Sequence, residues 1–211
     1  MREQVLIPVL MFGGFLIFFG VILRMAAISS RKAVDNVRRL AEQLRLTMNE
    51  NRPVLGFCRS PEATGTIRGK AVRLYNYTTG SGKSKTTWAA VGVAPAANGG
   101  LTFALAPQGL GTKLKELFGA KEIKVGDMAF DRDWFIQTNA PDFFGAALLP
   151  EMQRKIQVTK GTWKLADGVV VYAERGSFAD ERRCARFVSV VDAACDLADI
   201  AEVYAQHAQS R

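Results

Sequence analysis

From Val5 to Leu23 the chain carries no charged side chain, and the run stops at Arg24 with Arg31 and Lys32 close behind. A bilayer core about 30 Å thick needs roughly 20 mostly apolar helical residues to cross it. VLIPVLMFGGFLIFFGVIL has that length, so the sequence predicts a transmembrane helix and a body tethered beside a membrane. A cleaved signal peptide would instead show a positive leading region, an apolar core of roughly 7–15 residues and a small-residue cleavage site. Here Glu3 offsets Arg2, the run is longer, and the one A-x-A-like stretch, Met25-Ala26-Ala27, sits directly behind Arg24.

Basic residues near the two ends of the run set the expected topology. Arg2 precedes it, whereas Arg24, Arg31, Lys32, Arg38 and Arg39 follow it, which predicts a single-pass protein of a bacterial inner membrane with its C-terminal body cytoplasmic. Cys58, Cys184 and Cys195 form an odd set without framework spacing, as expected where thiols stay reduced. The glycines of the run make no small-xxx-small pair, because Gly13 is followed at four residues by Ile17 and Gly14 by Phe18.

About 185 residues remain after the run, enough for one domain with its own core. The net charge of +8 and pI near 9.6 suit nucleic acid as well as anionic lipid. No aromatic-interleaved basic strand or recognition helix is present, so membrane lipid is the expected partner of the charge and nucleic acid is not.

Val34, Val37, Ala41, Leu44 and Met48 recur at steps of three and four, the seam of a helix that packs lengthwise on another. Pro53 supplies its stop, and Arg31, Arg38, Arg45 and Arg52 fall seven apart in a column beside the seam. From Arg182 to Gln206 no Gly or Pro interrupts a second helix, whose Asp192, Asp196, Asp199 and Glu202 form an acidic stripe expected to pack against the body and the basic stalk. Between these helices, Ala71–Tyr77 and Thr86–Ala94 read as a hairpin around a Gly/Ser loop, followed by strands at Leu101–Ala106, Ile123–Val125 and Met128–Gln137. Short helical patterns cover Gly111–Phe118 and Phe143–Ile156, and Asp167-Gly168 turns Thr162–Leu165 into Val169–Ala173 through a type I′ turn.

The predicted class is therefore α+β: an antiparallel sheet or half-open barrel covered by helices, with a transmembrane helix and a juxtamembrane helix before it and a long helix closing the chain. The expected division is an anchor over 1–28, an amphipathic helix over 29–52 and a globular domain over 53–211.

Two places carry residue types used in chemistry. Gly80-Ser81-Gly82-Lys83-Ser84 is similar to the end of a phosphate-binding loop, yet Tyr77 stands where the first glycine belongs and a strand follows, so a basic hairpin tip is expected. Asp127, Asp131 and Asp133 bring three carboxylates within seven positions, Asp131 and Asp133 on one face of a predicted strand, a grouping that can hold a divalent cation or divide acid and base roles, and that fits a bulged strand entry equally well. His207 is the one histidine and lies near a terminus, and no C-x-x-C pair is present, so the sequence offers no histidine triad and no zinc set and predicts no cofactor.

The stretch GDMAFDRDWFIQTNAPDFFGAALLPEMQRKI resembles a signature of uncharacterised bacterial membrane-anchored domains: an F-D-x-x-F strand, a polar link with aspartate, and a helix ending in L-L-x-P. Phe130, Asp131 and Phe135 match the first part, Asp142 the link, and Leu148, Leu149 and Pro150 the last, with Pro150 one position early. The resemblance implies a membrane-side domain and no particular chemistry. The expected function is a binding or scaffolding module that meets a protein partner or anionic lipid, with Arg31, Lys32, Arg38, Arg45, Lys83 and Lys85 as candidate contacts. A metal-dependent or phosphate-substrate enzyme and a periplasm-facing envelope factor are the competing expectations.

Overall fold

A helix that begins apolar and continues amphipathic has no reason to stop between the two, and the computed structural model shows none: α1 runs without a break from Arg2 to Leu44. The structure describes residues 2–49, 60–110 and 121–210, and of residues 2–13, 16 and 110 the backbone alone. The predicted helix over Gly111–Phe118, together with Arg52, Pro53 and Cys58, lies outside the described residues.

The predicted anchor and juxtamembrane helix are thus one element, and it ends earlier than the sequence suggested. Arg45 adopts φ 55, and its N–H reaches the Glu42 carbonyl at 3.2 Å while the Leu46 N–H reaches that of Ala41 at 2.8 Å. That pair of bonds is a Schellman closure, formed here by arginine in place of the usual glycine, with buried Leu46 packed under it. Proline is not needed to stop the helix.

Among the described residues nine antiparallel strands follow: β1 (Thr47–Asn49), β2 (Glu62–Ile67), β3 (Lys70–Thr79), β4 (Thr86–Ala94), β5 (Phe103–Pro107), β6 (Lys121–Ile123), β7 (Trp134–Thr138), β8 (Thr162–Ala166) and β9 (Val169–Arg175). They form one sheet in the order β1-β2-β3-β4-β9-β8-β5-β7-β6. The hairpin expected around 80–84 is the β3–β4 pair, and the β8–β9 turn has φ 52 at Asp167 and φ 75 at Gly168, the two positive values that a type I′ turn requires. Strands β1 and β2 escaped prediction; the β2–β3 turn is built like β8–β9, with Arg68 at φ 53 and Gly69 at φ 78.

Two sequence expectations need correction. Met128–Asp133 is a short helix, α2, and not the start of a strand. Asp127 caps it by accepting from the Ala129 and Phe130 amides, which consumes the donors a strand would have left for a neighbour. The predicted helix over 143–156 is two helices, α3 (Pro141–Ala147) and α4 (Pro150–Gln157). Pro150 forbids helical backbone in the residue before it, and Leu149 accordingly takes ψ 158.

The closing helix α5 spans Glu181–Gln209 and lies on β4 and β9, with α1 and α4 packed on it. The register aligns one row across six strands, Leu74–Val91–Tyr172–Trp163–Leu105–Ile136, every member fully buried beneath the helices. Aromatic contacts carry the core from sheet to α5: Trp163 on Tyr172 at 4.6 Å, Tyr172 on Phe187 at 5.6 Å, and Phe187 on Phe178 at 4.8 Å. Among the described residues, no helix is long and apolar enough to cross a membrane; the side chains of the predicted span before Gly14 fall outside them.

Candidate functional site

Along α1 the surroundings change at about Ser30. From Ala33 onward the helix buries a stripe of Ala33, Asn36, Val37, Leu40 and Ala41, spaced as one face of a helix. Buried Asn36 donates from Nδ2 to the Phe178 carbonyl at 2.8 Å, which fixes α1 to the segment leading into α5. Before that point the described side chains from Ile17 to Ala26 are all exposed, on every side of the helix. Phe15, Ile17, Phe18 and Met25 are each more than 60% exposed, so this part of α1 is greasy all round and touches none of the body.

The six candidate contact residues do not form one cluster. Arg31 and Lys32 are exposed on α1 just where it leaves the body. Arg38 pairs with Asp35 on its own helix at 3.4 Å. Arg45 lies past the helix end, so the column drawn from the sequence holds only Arg31 and Arg38 within α1. Lys83 and Lys85 are exposed at the β3–β4 tip, where a single 3-10 turn, Gly82–Ser84, joins strand to strand; no helix follows to present its N-terminus to a phosphate.

The carboxylates are occupied by local structure. Asp127 caps α2, Asp131 accepts from the Val125 and Gly126 amides at 2.9 and 3.0 Å, and Asp133 pairs with Arg132 at 2.9 Å. No group of three His, Cys, Asp or Glu among the described residues could hold a metal ion. Cys184 and Cys195 are buried free thiols, and burial pushes Cys184 up to about 11, far from thiolate reactivity at neutral pH. His207 flanks a hollow of about 710 Å³ with Asp142, Phe143 and Tyr204, its ring 6.2 Å from that of Phe143.

The acidic stripe of α5 packs on the body as expected, but its partners are body cations and not the stalk. Arg68 of the β2–β3 turn reaches Asp196 at 2.6 Å and also Asp199; Lys155 of α4 holds Asp192 and Asp196 at 2.7 and 2.6 Å; Lys70 holds Asp199 and Glu202 at 2.6 and 3.0 Å. Burial opposes ionisation of Asp196, yet bonds from Lys155 and Arg68 outweigh it and keep its carboxyl below the usual range. The stripe was visible as a sequence pattern; its partners were not, because Arg68 and Lys155 belong to a turn and a short helix far away in the chain.

Sequence reading missed a second charge cluster. Glu174, 3% exposed, accepts from Arg183 at 2.5 Å, Arg186 at 2.8 Å and the Tyr172 hydroxyl at 2.7 Å. Burial and the bond to Glu174 push the Tyr172 phenol upward. On the other face of the sheet, half-buried Tyr75 and Tyr77 line a shallow groove with Val169, Val171 and Lys164, and the Tyr77 ring stacks on that of half-buried Trp88 at 6.3 Å.

No protein family profile matches the chain, and no curated protein sequence matches it. Among solved structures, the fold is similar to the crystal structure of the mycobacterial trehalose monomycolate transport factor A, TtfA, with a TM-score of 0.51 and 12% identity over 81% of this chain and 94% of that one. At that identity the likeness concerns the fold.

Proposed function

We propose that this chain is a single-pass membrane-anchored protein of the bacterial cell envelope, whose α+β body is a binding module held beside the bilayer. The carrying observation is the described stretch 14–28 of α1, dominated by large apolar side chains exposed on all sides and continuous with a helix locked into the body. Apolar surface of that extent, with none of it facing the domain core, calls for a nonaqueous environment, and its helical continuity with Arg2 gives it the length a bilayer needs. Arg31 and Lys32 stand at the expected headgroup level, and the excess of basic residues on that side favours a cytoplasmic body. The fold likeness to a trehalose monomycolate transport factor agrees with an envelope role and assigns no cargo. Binding is favoured over catalysis because Asp127, Asp131 and Asp133 are engaged in a cap, a turn and an exposed pair instead of converging in a cleft.

The test is alkaline carbonate extraction of membranes carrying the full chain, combined with a reporter fused after Arg211 that works only in the cytoplasm. The chain should stay in the membrane pellet and the reporter should be active. Release into the supernatant would overturn the anchor; a silent reporter with a retained chain would place the body on the outer side.

A further inference from the structure

The sheet has two chemically different ends, and the contacts of α1 decide which of them faces its apolar segment. At one end Tyr77, Trp88 and Arg175 align across β3, β4 and β9; at the other Val72, Val93 and Val170 do. Helix α5 starts at the first end, where Arg183 donates to the Arg175 carbonyl at 3.0 Å, and runs to the second, where Glu202 meets Lys70. Leu46, just after α1, lies against Gly65, which is opposite Val72, whereas Asn36 bonds to Phe178 and Arg39 reaches Glu181 at the start of α5. Tracing α1 backwards therefore climbs towards the Tyr77 end, and residues 14–28 project beyond it.

The β3–β4 hairpin projects beyond the same end. Ile28 lies about 12 Å up the helix from Asn36 at 1.5 Å per residue. The tip rises about 10 Å past Tyr77 at roughly 3.4 Å per residue, and Arg31 and Lys32 lie roughly 6–8 Å up the helix from Asn36, so Lys83 and Lys85 project past the same end of the sheet as Arg31 and Lys32. Arg175 and Arg182 are exposed at this end, and among the described residues neither they nor Lys83 and Lys85 make an ion pair. The acids at this end, Glu174, Asp180 and Glu181, are held by Arg183, Arg186 and Arg39, and those at the opposite end, Asp192, Asp196, Asp199 and Glu202, by Arg68, Lys70 and Lys155. What the anchor side of the body leaves exposed and without an ion pair among the described residues is therefore cationic: Lys83, Lys85, Arg175 and Arg182.

We propose that the body is seated on an anionic bilayer surface rather than hanging free of it, with Lys83, Lys85, Arg175 and Arg182 on the headgroups. The inference rests on the reading of α1 as the anchor, and it assigns the β3–β4 tip as a lipid contact, with Arg45 excluded by its place beside the far half of the sheet. Membrane surface potential attracts clustered basic residues within a Debye length, so the seat is sensitive to both salt and lipid charge.

Hydrogen exchange of the full chain in nanodiscs tests this. The amides of 80–86 should exchange several-fold more slowly with phosphatidylglycerol present than in phosphatidylcholine alone, and the difference should vanish in high salt. The variant Lys83→Glu/Lys85→Glu/Arg175→Glu/Arg182→Glu should lose that protection while remaining in the disc. Equal exchange in both lipids, with the chain in the disc, overturns the seat and leaves the anchor standing. A chain that does not enter discs overturns the anchor itself, and the seat with it.

Discussion

At the scale of single residues, two positions show how tightly the body is specified. Gly99 has φ +55, and a Cβ built on it would lie 2.7 Å from the Ala205 Cα, so the turn after β4 and the far half of α5 close on each other only because that side chain is missing. Gly99→Ala places a side chain in left-handed backbone and against α5, and should cost about 2 kcal/mol, read as a lowered urea midpoint with an unchanged slope. Asp196 makes the opposite point through charge. Its folded carboxyl is held below its unfolded value, so its contribution is present above the ordinary carboxylate range near pH 4 and is lost as pH falls through the lower folded value. Asp196→Asn should therefore lower stability at neutral pH by about 1 kcal/mol or less, since the pairs are partly exposed, and the gap between variant and wild type should narrow in acid. A gap that stays constant from pH 7 to pH 3 would show that the carboxylate charge is not what Asp196 contributes.

At the scale of elements, legibility followed how local the deciding interaction is. The β8–β9 turn was readable because Asp167-Gly168 sets its own φ values, and the C-terminal helix because its apolar surface and lack of breakers span the whole segment. Met128–Asp133 was misread because it runs straight into the apolar Trp134–Ile136 of β7 and reads as the start of that strand, while the Asp127 cap that makes the first part helical is a matter of two backbone bonds. The end of α1 was misplaced because arginine seldom takes φ 55, and only the bonds to Glu42 and Ala41 with buried Leu46 hold it there. Of the candidate contact residues, Lys83 and Lys85 were legible from the Gly/Ser loop, but their projection past the same end of the sheet as Arg31 and Lys32 depends on a three-dimensional packing of α1 that no local pattern encodes. The Glu174 cluster was invisible for the same reason, as Glu174 ends a strand and its arginines begin a helix. Glu174→Ala leaves the two arginines facing a buried void and should cost about 3–5 kcal/mol, whereas Glu174 and Arg183 replaced together by apolar residues of similar size should recover much of it. Thermal unfolding of the single and double variants measures this directly.

At the scale of the whole molecule, α1 falls into two parts divided at about Ser30, and the proposed anchor lies in the first. The described side chains between 14 and 28 are exposed apart from half-buried Ala27, and the second part supplies Val37, Leu40 and Ala41 to the main core. The two parts should therefore fail independently. Removing residues 1–28 should move the chain out of the membrane while leaving the unfolding temperature of the body within a few degrees of the full chain, because the deleted side chains that are described are exposed. Leu40→Ala should do the reverse: the chain stays in the membrane, and the body loses about 2–5 kcal/mol from a large-to-small change at a fully packed site. Membrane fractionation and thermal unfolding on the same preparations separate the outcomes. Were the truncated chain to unfold at a much lower temperature, the first part of α1 would be bracing the body, and a rigid helix joining two otherwise independent functions would no longer describe this protein.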